Sequence, residues 1–360
     1  MATKFRRALG AAVLGTLTLS SLTACGGSEP SGGGGGKDDK TVTVVSHTSF
    51  EPSEEVLEEF TEKTGYTVEV LRGGDAGSAL NQAILSKDNP QGDVFFGVDN
   101  TLLSRALDAG LFTPYEAEGL ERIPAEHRLD GENRVTPVDY GDICVNYDRA
   151  YFDERGLEPP ETLDDLVRPE YKDLLVTENA ATSSPGLGFL LATVAEYGDG
   201  WEGYWKKLKA NGVEVVDGWE QAYNDRFSGS AGGRSGDRPL VVSYASSPPA
   251  EVLGADPAPE QAPTGVATGT CFRQTEFAGL LDGAGNPEGG KALLDFLIGE
   301  SFQEHLPLQM FVHPAREGTE LPETFTRYGA TIDEPHTVAP ERIAADRETW
   351  IKAWTSTVLR

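Results

Sequence analysis

Apolar residues follow two rhythms along this chain. Residues 41–46 (TVTVVS) form a short β-branched run, as a buried strand requires. After Pro52 and Ser53 the spacing lengthens: Val56, Leu57 and Phe60 fall on one helical face, and Gly65 closes the helix. Residues 67–71 (TVEVL) return to strand character, residues 78–85 (SALNQAIL) to helix and residues 93–97 (DVFFG) to strand. Repeated strand–helix alternation is the pattern of a parallel sheet with helices on its faces, which predicts the α/β class. Residues 121–132 keep neither rhythm. Residues 134–147 predict two extended runs separated by Asp139, Tyr140 and Gly141, and residues 159–166 predict a helix start capped by Thr162. Strands are expected at 174–176, 213–216 and 240–244, with an apolar helix inside 183–197. An amphipathic helix starts at Asn286 and Pro287. A last helix covers 338–355, where Trp350 and Trp354, four apart, read as packing residues.

One apolar run fits neither pattern. Residues 8–22 follow Lys4, Arg6 and Arg7 and end in Leu22-Thr23-Ala24-Cys25, after which come Gly26, Gly27, Ser28 and five consecutive glycines from Gly32. A basic head, an apolar segment too short to anchor a mature protein and small residues at its end make an export signal. Leu-Thr-Ala-Cys also resembles the lipobox of bacterial lipoproteins, which implies lipidation of Cys25. Residues 1–25 are therefore expected to be a lipoprotein signal peptide and 26–40 a glycine-rich tether, a coil spanning on the order of 20 Å. No later run is long enough to cross a bilayer, so anchoring to the outer face of a cell membrane rests on Cys25.

Roughly 320 residues follow the tether, more than one compact lobe takes, so two lobes are expected. The chain has 30 Lys+Arg against 58 Asp+Glu, a net charge of −28. That balance excludes nucleic-acid and anionic-lipid surfaces as partners and is compatible with a cationic ligand. Cys144 and Cys271 are an even pair in an exported protein, which invites a disulfide; two unrelated buried thiols are the alternative. Closing so long a loop would stabilise by up to roughly 4 to 5 kcal/mol in the chain-entropy model.

No catalytic constellation is visible. There is no Gly-x-Ser-x-Gly elbow, and His47, His127, His305, His313 and His336 show no zinc-ligand spacing, so neither catalytic residues nor a metal site is expected. Gly283 and Gly285, with Gly289 and Gly290, superficially suggest a dinucleotide loop, but Pro287 interrupts it and it reads as a turn. What remains is four loops at the C-terminal ends of predicted strands, where open α/β sheets place ligands: 73–78 (GGDAGS), 182–188 (TSSPGLG), 217–223 (DGWEQAY) and 243–248 (SYASSP). Ser183 and Ser184 suit either a helix cap or a ligand contact.

Several motifs recur together in one family. TVVSHTSF at 43–50, Phe60 with Thr64-Gly65, DVFFGVDNTLL at 93–103, Asp139-Tyr140-Gly141, SPGLG at 184–188, Gly218-Trp219 with Ala222-Tyr223, Ser243-Tyr244 with Ser247-Pro248, and Asn286-Pro287-Glu288 stand in this order. The chain resembles, over essentially residues 41–360, the thiamine-binding proteins of ABC importers. The resemblance implies a two-lobe periplasmic-binding-protein-like fold of type II, with two hinge crossovers near 139–145 and 269–274. Lobe 1 would comprise 41–141 with 272–360, its C-terminal helices packing on both lobes, and lobe 2 would comprise 142–271. A bridge between Cys144 and Cys271 would then staple the two hinge strands.

The resemblance also implies a ligand set: Asp75, Ala76, Ser183, Ser184, Trp219, Tyr244, Ala245, Ser246 and Ser247, with His47, Tyr140 and Phe311 as further cleft residues. His47 and Phe311 stand where relatives can carry Tyr and Trp, and Ala76 where the family has Gly. Thiamine joins a thiazolium cation to a flat aminopyrimidine, so an indole or phenol face attracts it by roughly 0.5 to 2 kcal/mol. Asp75 suits a counter-charge or an acceptor, and the serines suit the hydroxyethyl arm or its phosphate. Arg226 lies close to the Trp219 loop, but no dense Arg/Lys cluster marks a diphosphate site. The expected function is capture of thiamine or its phosphates by a monomer without cofactor, for delivery to an ABC permease. A receptor for a polyamine or quaternary amine, or a surface enzyme on the same fold, is the alternative.

Overall fold

The structure is a computed structural model that describes residues 40–231 and 236–360. The signal peptide, Cys25 and nearly all of the tether lie outside the described residues. β1 (Thr41–Ser46) buries Val42 and Val44 and is followed by α1 (Glu54–Thr64), where Ser53 Oγ accepts the Val56 N–H and Gly65 ends the helix at φ 78°. β2 (Thr67–Arg72) leads into α2 (Ala76–Leu85), which starts two residues earlier than its apolar pattern because Asp75 caps it. β3 (Val94–Asp99) is buried throughout, and α3 (Leu103–Asp108) follows.

β4 (Thr136–Asp148) is one strand where two runs were expected. Asp139, Tyr140 and Gly141 do not turn, because a partner strand pairs them with Glu276, Thr275 and Gln274; the irregularity survives as register shifts at Pro137/Asp139 and Ile143/Val145. After α4 (Arg149–Arg155), the helix expected from Pro159 is absent: Thr162 Oγ1 donates to Asp165, and two 3-10 turns, Asp165–Val167 and Pro169–Tyr171, form instead. Then come β5 (Leu175–Glu178), α5 (Ser184–Tyr197), α6 (Trp201–Ala210), β6 (Glu214–Val216) and β7 (Leu240–Tyr244). β8 (Thr264–Leu280), the partner of β4, showed in the sequence only around 269–274, since polar residues interrupt its apolar rhythm. The remaining elements are α7 (Pro287–Leu297), α8 (Glu300–Gln309), β9 (His313–Pro314), α9 (Glu323–Tyr328) and α10 (Pro340–Val358).

The described strands form one sheet in the order β2-β1-β3-β8-β4-β7-β5-β6, with β9 paired to β4. Both ends are parallel, as the strand–helix alternation predicts, whereas the middle is antiparallel. β4 and β8 run side by side through that middle: β8 pairs with β3 near its C-terminal end, and β4 pairs with β7 from Ile143 onward. These are the two expected crossovers. Cys144 and Cys271 are joined as a disulfide where the β4–β8 register shifts. Helix α10 packs on elements at both ends of the sheet: Trp354 lies edge-on to Trp205 of α6 at 5.5 Å, and Arg347 reaches Thr101 O and Ser104 Oγ beside α3.

Candidate ligand-binding site

A cavity of about 280 Å³ opens where loops from both parallel ends of the sheet meet. Asp75, at the N-terminus of α2, holds two of these loops together. Its Oδ1 accepts the Ala76 N–H at 2.6 Å, and its Oδ2 accepts the Trp219 N–H at 2.8 Å. A Cβ on residue 218 would lie 2.7 Å from that oxygen, so the approach requires Gly218. Trp219 is pinned as well: Nε1 donates to Ser243 Oγ at 2.9 Å, and the indole stacks on Tyr223 with centroids 5.0 Å apart while still lining the cavity. Ser243 Oγ meets Ser247 Oγ at 2.8 Å, and Ser247 Oγ accepts the Tyr244 N–H.

At the start of α5, Ser183 Oγ caps Gly186 N, and Ser184 Oγ donates to Asp99 Oδ2 at 2.6 Å. Gln274 donates to the same oxygen at 3.0 Å, so buried Asp99 ties β3, β8 and α5 into one junction. Of the residues named from the sequence, His47, Asp75, Ala76, Ser184, Trp219, Tyr244, Ser247 and Phe311 line the cavity. Ser183, Ala245, Ser246 and Tyr140 lie outside the lining. Ser183 is buried as a cap; Ala245 is buried, its N–H donating to Asp142 O; Ser246 Oγ donates to Phe311 O at 2.6 Å. That bond holds Phe311 in the left-handed region at φ 55°, which an aromatic residue rarely adopts. Tyr140 is sandwiched between His127 and His313, at 4.6 and 5.0 Å. Arg226 is bonded to Glu214 and Asp237 and does not line the cavity.

Glu220 and Tyr223, expected only as part of the 217–223 loop, also line the cavity, as do residues not named as ligand contacts from the sequence, among them Ser49, Gln274 and Glu276. A signal existed for the last two: Arg273, Gln274, Thr275 and Glu276 form an uninterrupted polar run between Phe272 and Phe277. Electrostatically the lining is one-sided. Glu51, Asp75, Glu220 and Glu276 supply carboxyls, His47 the sole ionisable nitrogen, and neither Lys nor Arg is among the described lining residues. Burial pushes Asp75 up, against the Trp219 N–H and His47, which favour its charge. For His47, burial works downward, but Glu276, Asp75 and Glu220 outweigh it and raise the imidazole above its ordinary value. Burial drives the Tyr244 hydroxyl well up, so it stays neutral. No described group of three His, Cys, Asp or Glu side chains could hold a metal ion.

Residues 89–329 match the model of the bacterial extracellular solute-binding proteins. The chain belongs to this family. This solute-binding protein is 28% identical over 327 residues to the thiamine-binding periplasmic protein of Salmonella typhimurium strain LT2, spanning 89% of this chain and 94% of that one. It is 30% identical over 291 residues to the thiamine-binding periplasmic protein of Escherichia coli strain K12, spanning 79% and 82%. A solved periplasmic thiamin binding protein superimposes with a TM-score of 0.76 at 26% identity, over 89% of this chain and 96% of that one. Ferric ion-binding protein A of Pasteurella haemolytica, at 19% identity and a TM-score of 0.67 over 88% and 98%, shares the fold alone. The solute-binding protein thus has the two-lobe periplasmic-binding-protein-like fold and works outside the cytoplasm.

Proposed function

We propose that this solute-binding protein captures thiamine in the cavity and delivers it to the permease of an ABC importer. The observation that carries the reading is the lining itself: the rings of Trp219, Tyr244 and Phe311 beside four carboxyls, with no Lys or Arg among the described lining residues. A flat organic cation is the ligand that such walls suit, since aromatic faces and carboxylates both attract positive charge. The names of the thiamine-binding relatives select thiamine among such cations. The lack of Lys and Arg among the described lining residues favours thiamine over its diphosphate, which needs such partners. Carboxyls alone would also suit a polyamine, but stacked aromatic walls favour a flat ring. Both cysteines of the folded body are tied together, which supports a binding rather than a catalytic role.

The lobes would divide as 41–141 with 272–360 against 142–271, a division supported by the change of partner along β4 and β8. The bonds Asp75–Trp219, Ser184–Asp99, Ser49–Glu220 and Ser246–Phe311 cross that division, so hinge bending would break them on opening and form them around ligand. A lipid on Cys25 and the glycine-rich leash would keep this monomer beside its permease; Cys25→Ala should release it into the medium, which blotting of cell and medium fractions detects. The function is tested by calorimetric titration of the purified protein with thiamine, thiamine diphosphate, spermidine and choline. Saturable binding of thiamine above the others supports the reading, and binding of another cation in its place overturns it.

A further inference from the structure

The carboxyls of the cavity are not equivalent. Each oxygen of Asp75 accepts a backbone N–H. Glu220 is exposed and accepts the Ser49 hydroxyl at 2.8 Å and the Asn224 amide at 2.6 Å. Glu51 is exposed to water, where its charge is screened. Glu276 differs: it is 7% exposed, sits mid-strand in β8, and its close neighbours are two titratable groups. His47 Nε2 lies 3.3 Å from Oε1, a distance for ion pairing without hydrogen-bond alignment. Asp139, 2% exposed, faces Glu276 across the β4–β8 ladder and has an oxygen, Oδ2, without a hydrogen-bond partner.

Two carboxyls this close and this buried do not both ionise. Burial first, and then the Glu276 charge, push Asp139 well above the carboxylate range, so Asp139 keeps its proton beside the partner that lines the cavity. The backbone is shaped to let His47 reach it. Gly97 has φ 104° at the register shift between β3 and β8, and a Cβ there would sit 2.4 Å from His47 Cδ2, so only glycine leaves room for the imidazole.

We propose that Glu276 supplies the counter-charge for the cationic ring of the ligand, and that His47 pairs with this carboxylate in the free protein and yields it when the ligand enters. The inference rests on the cationic-ligand reading above. The imidazolium gives its proton to water as the thiazolium arrives, so one cation replaces another beside Glu276. The other groups facing His47 are Asp75 from the cap of α2 and Glu220 after β6, both of which favour the imidazolium, while Asp139 of β4 acts through Glu276 and Tyr244 of β7 is neutral. Affinity for a cation should therefore fall as pH drops through the His47 transition, and Glu276 should distinguish charged from neutral ligands of one shape.

The experiment uses calorimetry on the full-length protein with thiamine and with 3-deazathiamine, whose ring carries no positive charge. Glu276→Gln is expected to weaken thiamine binding by about tenfold or more and 3-deazathiamine binding by less than about threefold. Wild-type binding is expected to release a proton near pH 6 to 7, seen as a binding enthalpy that changes between phosphate and Tris buffers, and His47→Gln is expected to abolish that dependence. Equal losses for both ligands, or an unchanged thiamine affinity, would overturn the inference. Should Glu276→Gln not fold, the proton count decides: thiamine binding to the wild type without proton release also overturns it. A wild type that binds neither ligand instead overturns the thiamine reading, so the two failures are separable.

Discussion

Asp75 Oδ2 and the backbone N–H of Trp219 meet at 2.8 Å across 144 positions of sequence. One carboxyl thereby caps α2 and fixes the loop that presents the indole. Removing it in Asp75→Ala should cost about 1 to 2 kcal/mol of stability through the lost cap, and should weaken ligand binding by more than about tenfold by freeing the Trp219 loop. Urea denaturation and calorimetric titration give the two numbers. A stability loss with unchanged affinity would show that the bond does not position Trp219 for ligand.

Trp219 is held by Ser243 at its Nε1 and by Tyr223 on its ring. If the ring stacks on the ligand, Trp219→Ala should lower affinity by more than about tenfold, whereas Trp219→Phe, which keeps a π-face, should lower it by about threefold to tenfold. Intrinsic fluorescence should also change when wild-type protein binds ligand and lose most of that change in Trp219→Phe. Unaltered affinity in Trp219→Ala would return this residue to the apolar cluster around Tyr223 and Phe227.

The sequence made the two parallel ends of the sheet legible, because β1, β2, β3, β5, β6 and β7 are short apolar runs punctuated by helices or turns. It concealed the middle. β8 carries Arg273, Gln274, Thr275 and Glu276 in succession, and the last three are tolerated in a buried strand because Gln274 donates to Asp99, the Thr275 hydroxyl meets His127 Nδ1 and Glu276 pairs with His47. Such pairing is tertiary and leaves no periodic trace. The site divided the same way. Trp219 and Tyr244 stood out as aromatic residues in polar loops, but nothing local distinguishes Ser184, whose hydroxyl belongs to Asp99, from Ser247, which supports Tyr244.

The Cys144–Cys271 bridge closes a loop of 127 positions between the crossovers. Replacing both residues by serine should lower stability by about 4 kcal/mol in the chain-entropy model, and reductant should have the same effect on the wild type. Thiamine affinity should change by less than about twofold, because neither sulfur lines the cavity. Guanidinium unfolding with and without dithiothreitol checks the first expectation. A double variant that is as stable as the reduced and oxidised wild type alike would show that the bridge does not restrain the unfolded chain.

Glu178 is fully buried at the end of β5, and neither carboxyl oxygen has a hydrogen-bond partner. Burial raises it well above its ordinary value of 4.5; its own backbone N–H opposes this by more than the Asp75 charge adds, and Thr177 opposes it least. A carboxyl whose pKa is higher in the folded than in the unfolded chain binds its proton more tightly when folded. Its contribution to stability is therefore present in full below the unfolded value and is lost as pH rises toward and through the folded one. Asp99 and Asp139, raised by burial as well, act in the same direction. Glu178→Gln keeps the shape without the charge, so it should leave stability at pH 5 nearly unchanged and raise it at pH 8 by about 1 kcal/mol or more. Urea midpoints of both proteins across that range measure the difference; parallel curves would mean that the folded and unfolded chains bind the Glu178 proton alike, and that burial does not raise this carboxyl.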